Sequence, residues 1–268
     1  MSFSISGKTA IVTGAANGVG LAIARHFADQ GANVMMADMD EAKLTDEVGS
    51  DVDEGSTRFF VGDLRERLTI ANLLSATIDA FDRVDILVNA SRQVLPSDPL
   101  DIDDNSVETM LNQNLLASFK LSQLVANRMI KQSEDRAEDE PAGSIVNLTS
   151  IAAERTHANL LAYSISSAAL NQMTRSMAVA LARHRIRVNA LSIGSVMSES
   201  LRSRLKNAGN DMRSDILDST PLGRIAAASE VAEAAQFLAS DGSGFITGEV
   251  ITLDGGRTLL DPVAHSAH

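Results

Sequence analysis

The strongest constraint on the fold is an alternation along the chain. Short runs rich in β-branched residues (TAIVT, ANVMMAD, TRFFV, VDILVN, GSIVNLTS, IRVNALS and EVITLD) alternate with longer Ala- and Leu-rich stretches of helical period. The periodicity predicts helices over about residues 18–30, 41–53, 65–81, 104–132, 161–183 and 229–240. Strands joined through helices run parallel, and a parallel sheet needs apolar cover on both faces. Seven such strands predict an α/β fold, a doubly wound parallel sheet with helices on both faces and its functional groups at the carboxyl ends of the strands. With 268 residues and no linker-like segment, a single domain over 1–268 is expected.

Composition narrows the function. Hydrophobic residues make up 44% of the chain but aromatics only 3%, so the core must be aliphatic. A net charge of -12 without Lys or Arg clusters argues against nucleic acid as a partner. No apolar stretch approaches the roughly 20 residues of a membrane span, and no basic, apolar leader opens the chain, so a soluble cytoplasmic protein without a membrane partner is expected. The absence of cysteine removes disulfides, thiolate nucleophiles and cysteine zinc sites. His26, His157, His184, His265 and His268 show no metal-ligand spacing, and a metal-free mechanism follows. Two stretches break the rhythm. SEDRAEDEPAG (133–143) reads as a solvated loop, and the polar, weakly periodic segment 194–224 is long enough to be a lid over a substrate pocket.

TGAANGVG (13–20) follows a strand and opens a helix. Gly14, Gly18 and Gly20, with Asn17 and Val19 between them, stand where backbone must turn tightly and approach a pyrophosphate at a helix N-terminus. Asp38 ends the second strand 18 residues after Gly20, where a carboxylate accepts from both adenosine ribose hydroxyls and repels a 2'-phosphate. The expected cofactor is therefore NAD. Asp63, in the GDL of 62–64 with Leu64, is either an acceptor for the adenine amino group or a helix cap. Asn89, Ala90 and Ser91 end the fourth strand and are expected to line the cofactor.

These features, together with Asn114, the thirteen-residue spacing of Ser150 and Tyr163, TPLGR, SEVAEAAQFLAS and ITGEVITLDGG, resemble the short-chain dehydrogenase/reductase family from about residue 5 to 257. The resemblance implies a Rossmann sheet of seven parallel strands, hydride transfer between nicotinamide and a carbonyl or secondary alcohol, and a homodimer or homotetramer built on the helices at 104–132 and 161–183. It implies that Tyr163, the only tyrosine, is the acid or base at the substrate oxygen, that Ser150 holds that oxygen, and that Asn114 fixes a water for proton relay. It further implies cofactor contacts from Gly194, the Val196 backbone and Ser198.

The chain departs from the family where a lysine is usual, four residues after the tyrosine, and carries Ser167. A hydroxyl keeps a weak ribose contact but loses a charge-assisted one of about 1.5–3 kcal/mol. A phenol without a cation is ionised to about one part in a thousand at neutral pH, which disfavours alcohol oxidation more than carbonyl reduction. Arg92, Arg155 and His157 are the candidate substitute cations, Arg92 foremost; Arg175, on the same helix as Tyr163, is too far along it. Ser91 for glycine and Ile193 for proline are further departures. Two readings follow: an NAD-dependent oxidoreductase favouring reduction, or a dinucleotide-binding scaffold of the same fold that no longer turns over.

Overall fold

The computed structural model describes residues 3–49, 55–134, 140–207 and 209–261. The seven expected strands are present: β1 (Thr9–Thr13), β2 (Asn33–Asp38), β3 (Thr57–Val61), β4 (Ile86–Asn89), β5 (Gly143–Ser150) and β6 (Ile186–Ile193), with Val250–Leu253 last. Two short strands, β7 (Val196–Met197) and β8 (Ala226–Ala227), precede that last one, which is therefore β9. The main sheet is parallel throughout, in the order β3-β2-β1-β4-β5-β6-β9. Strand order reverses between β1 and β4, so their carboxyl ends diverge and open the crevice in which doubly wound sheets bind ligands.

Each central strand feeds two cores. Ala10 and Val12 of β1, with Val34, Met36, Ile86 and Val88, pack on one face beneath α1 (Gly18–Asp29) and α9 (Ala228–Ala239). Ile11, Met35, Ala37 and Leu87 turn to the other face. That face is covered by α3 (Arg67–Phe81), α5 (Ala117–Gln132) and α6 (Leu161–Ala182), while α2 (Glu41–Val48) follows β2. The period-two alternation thus fills both faces with aliphatic side chains, which explains how so few aromatics suffice.

Three expectations are corrected in detail. The helix expected over 104–132 is broken into α4 (Ser106–Met110), a π-helical turn (Leu111–Leu116) and α5. One extra residue per turn there rotates Asn114 inward, where it is buried. The 194–224 segment is not irregular. It folds as α7 (Glu199–Asn207) and α8 (Gly209–Asp218), and the parallel pairs Val196–Ala226 and Met197–Ala227 close its base. Its periodicity is weak because α7 buries no residue and Ile216 is the one buried residue of α8 among the described side chains. The second helix ends at Val48 rather than 53; residues 50–54, residues 135–139 of the 133–143 stretch, His265 and His268 lie outside the described residues.

Candidate active site

The crevice is sewn together by a residue that the sequence did not single out. Thr13 Oγ1 accepts from the amides of Ala90 (3.0 Å) and Ser91 (3.1 Å), tying the end of β1 to the end of β4. Glycine is required above that seam. A Cβ on Gly14 would lie 2.8 Å from Ser91 N, and one on Gly20 would lie 2.1 Å from the Gly14 carbonyl oxygen.

The α1 N-terminus carries no side-chain cap from Asn17 and no acid in its first turn. Its first amides have no intrahelical acceptor, so a diphosphate there would complete them. They border a cavity of about 310 Å³ whose lining includes Asn17, Gly18 and Ser198 and also the charged Lys43, Asp46, Glu47 and Glu199. A Cβ on Gly18 would find only Ser198 Cβ, at 3.7 Å, so the backbone forms an open cradle. Val19 and Gly20 are buried beneath it.

Asp38 is held by that same loop. Its Oδ2 accepts from Ala16 N (3.0 Å), while Oδ1 accepts from Met39 N (2.7 Å) and Asp40 N (3.2 Å). The neighbouring cation, Lys43, pairs with Asp40 at 2.8 Å; this pairing raises the lysine and lowers the aspartate relative to their ordinary values. These residues fit an adenosine ribose at Asp38 and a diphosphate at the cradle.

Other expected cofactor contacts are placed less simply. Asp63 is gripped by the Arg65 guanidinium (Nη2–Oδ2 2.5 Å), which holds the carboxyl below its usual range, and Leu64 beside it is buried. The side chain of Asn89 turns into the helix layer, with Nδ2 donating to Ser122 Oγ (2.9 Å) and Asn147 Oδ1 (2.8 Å). Only its neighbours Ala90 and Ser91 reach the glycine loop. Gly194 packs on Asp254, where a Cβ would lie 2.9 Å from that side chain's Cβ. Val196 is tied into β7, and Ser198 Oγ accepts from Leu201 N (3.2 Å) at the start of α7.

A second, tighter pocket brings together Tyr163 and Asn114 of the expected catalytic residues, while Ser150 is not among its lining residues. Tyr163, only 6% exposed, shares it with Ser91, Arg92, Asn114, Thr149 and Ser167. The phenol oxygen accepts from Arg92 Nη1 at 3.0 Å. Ser166, one position before Ser167, accepts from Asn114 Nδ2 (3.2 Å) and donates to the Tyr163 carbonyl (3.0 Å), bracing the first turns of α6. Ser150 ends β5, and its Oγ accepts from Ala152 N (3.1 Å). Of the other candidate cations, Arg155 donates to the Thr258 carbonyl and His157 Nδ1 accepts from Asn159 N (3.4 Å); Arg175 lies exposed further along α6. Ser166 gave no signal in sequence, because a serine at a helix start is common, whereas Thr13 abutting Gly14 is a signal that was there to be read.

The whole chain has known relatives. The family described as enoyl-(acyl carrier protein) reductase matches residues 14–258. A 7α-hydroxysteroid dehydrogenase from Escherichia coli K12 is 31% identical over 254 residues, 94% of each chain. An L-fucose dehydrogenase from Mus musculus is 33% identical over 261 residues, covering 95% of this chain and 89% of the mouse protein. Among solved structures, a 7α-hydroxysteroid dehydrogenase complexed with NADH and 7-oxo glycochenodeoxycholic acid superposes with a TM-score of 0.85 at 30% identity, over 95% of this chain and 96% of that one.

Proposed function

The chain belongs to the short-chain dehydrogenase/reductase family of oxidoreductases, and from that premise we propose that it is an NAD-dependent enzyme acting on a carbonyl or secondary alcohol and favouring reduction. The observation that carries the reading is the buried phenol of Tyr163, whose oxygen accepts from Arg92 and whose proton is directed to no acceptor among the described residues, which leaves it for a substrate oxygen. When bound, nicotinamide dinucleotide supplies or takes the hydride at the substrate carbon. Gly14, Gly18 and the α1 amides would hold its diphosphate and Asp38 its adenosine ribose, with NAD favoured because Asp38 repels a 2'-phosphate and Lys43 is already paired.

The rest of the chemistry belongs to this chain. Ser150 Oγ, whose own proton is directed to no acceptor among the described residues, orients the substrate oxygen. Tyr163 gives its proton to that oxygen as the alcohol forms. Asn114 Oδ1 accepts one bond and keeps a lone pair for a relay water. Exposed Leu161, Ile165 and Val179 on α6 support assembly into a homodimer or homotetramer.

The competing reading, a dinucleotide-binding scaffold, is favoured by one observation: Ser167 puts a neutral hydroxyl into the Tyr163 pocket. Titration with NADH and then NADPH, followed by nicotinamide fluorescence, tests the cofactor site directly, since the chain has no tryptophan. Micromolar NADH binding with weaker NADPH binding, followed by reduction of members of a ketone panel, is expected. Binding without turnover would favour the scaffold, and failure to bind either dinucleotide would overturn the proposal.

A further inference from the structure

Arg92 stands immediately after the strand β4 and Ala90–Ser91 seam, on a segment fixed at two points. Gln93 is hydrogen-bonded through both backbone groups to the Asn114 amide (2.8 and 3.0 Å). Further on, Ser97 N donates to the Asn159 carbonyl (3.0 Å), and Ser97 Oγ accepts from Ala162 N (3.1 Å) at the start of α6. The backbone that carries Arg92 is therefore docked on the helix that carries Tyr163. The guanidinium has no carboxylate bridge among the described residues, and its hydrogen bond goes to the phenol oxygen.

We infer that Arg92 is the cation of this active site, stabilising the phenolate of Tyr163 in place of an ammonium on α6. The neighbours leave no other candidate. Ser91 from the β4 end, Asn114 and Ser118 from the π-turn and α5, Thr149 from β5, and Ser167 from α6 are all neutral. In reduction the Tyr163 proton moves to the substrate oxygen while hydride arrives at carbon, and the phenolate left behind regains a proton from solvent. Arg92 keeps its protons throughout, because a guanidinium is charged at every working pH and stabilises the anion without entering the proton inventory. The guanidinium N–H donates to the reacting oxygen at 3.0 Å, the geometry of a charge-assisted hydrogen bond once that oxygen is an anion.

The inference rests on the oxidoreductase reading for its chemistry but not for its test. Tyr163 is the only tyrosine and tryptophan is absent, so the near-ultraviolet phenolate band reports this one side chain. In Arg92→Gln that band is expected to appear at higher pH than in the parent protein, with Arg92→Lys close to the parent. Nitration by tetranitromethane, which attacks the phenolate, should slow about tenfold in Arg92→Gln at mildly alkaline pH. Arg92 is exposed, so both variants should fold. Coincident titrations with unchanged nitration would overturn the inference, as would an unmoved titration with weakened NADH binding, which would make Arg92 a cofactor contact. Neither the phenolate titration nor the nitration uses substrate or cofactor, so loss of the oxidoreductase reading would appear separately, in the fluorescence titration of the parent protein.

Discussion

Asn114 holds the backbone of Gln93 from both sides: its Nδ2 donates to the Gln93 carbonyl at 3.0 Å, and its Oδ1 accepts the Gln93 amide at 2.8 Å. The pairing imitates one rung of a sheet and joins the loop after β4 to the π-turn. Asn114→Ala removes both bonds and the one to Ser166, and should destabilise the protein by about 2 kcal/mol. Thermal unfolding would read this as a fall of a few degrees, accompanied by loss of turnover. An unchanged midpoint with turnover lost would instead make the relay water the main business of this residue.

Ser167→Lys separates an impaired enzyme from a scaffold. The new ammonium would enter a pocket in which Arg92 is the one charged lining residue. Turnover should rise more in alcohol oxidation than in carbonyl reduction, since oxidation needs the phenolate. The gain should be about tenfold larger in an Arg92→Gln background, where the lysine has no cation to duplicate, a non-additivity that a double-mutant cycle measures. Additive effects would mean that the two cations do not serve one phenol.

Asp38→Asn tests cofactor choice. The single amide oxygen can replace only one of the two carboxylate oxygens, so either the contact to Ala16 or those to Met39 and Asp40 are lost together with the charge. NADH affinity should fall about tenfold, and NADPH affinity should rise as the repulsion of a 2'-phosphate disappears. Fluorescence titrations with the two dinucleotides measure both, and parallel losses would remove Asp38 as the selector.

Glu230 sets a pH limit at the base of the 194–224 excursion. It accepts from Arg224 at 2.6 and 2.7 Å and from Ala227 N at 2.8 Å, and these bonds lower its carboxyl from 4.5 to about 2. A carboxyl depressed by folding stabilises the folded state fully above its unfolded value, and that contribution fades as pH falls through its folded one. Glu230→Gln should therefore unfold at a lower temperature than the parent at neutral pH, with the difference vanishing between about pH 4.5 and 2. The pair is exposed, so the difference should be small. A difference that persists at pH 2 would trace to lost packing instead.

Most of the fold was legible because its signals are local. Ile11 and Val12 face opposite cores, and a run apolar at both parities has no stable place except between two helical layers. The glycine loop was legible for a similar reason, since Gly20 closing on the Gly14 carbonyl admits no side chain. The 194–224 segment was not, because helices that bury so little leave almost no hydrophobic period to read. Nor was the break at Leu111–Leu116, where a π-turn keeps helical composition and changes only which residue faces inward.

By itself the sequence determined the sheet, the crevice at its switch point and the residue types available there, because alternation, turn chemistry and the paucity of aromatics act over short distances. Only the tertiary structure decided which groups meet. Asn89, beside the loop in sequence, turns away to Ser122 and Asn147, while Arg92 and Tyr163, 71 residues apart, share a hydrogen bond. Side-chain direction at a strand end and the docking of a loop on a distant helix depend on contacts that no local pattern encodes. The fold thereby brings the Arg92 guanidinium, on the loop after β4, to 3.0 Å from the phenol oxygen of Tyr163 on α6.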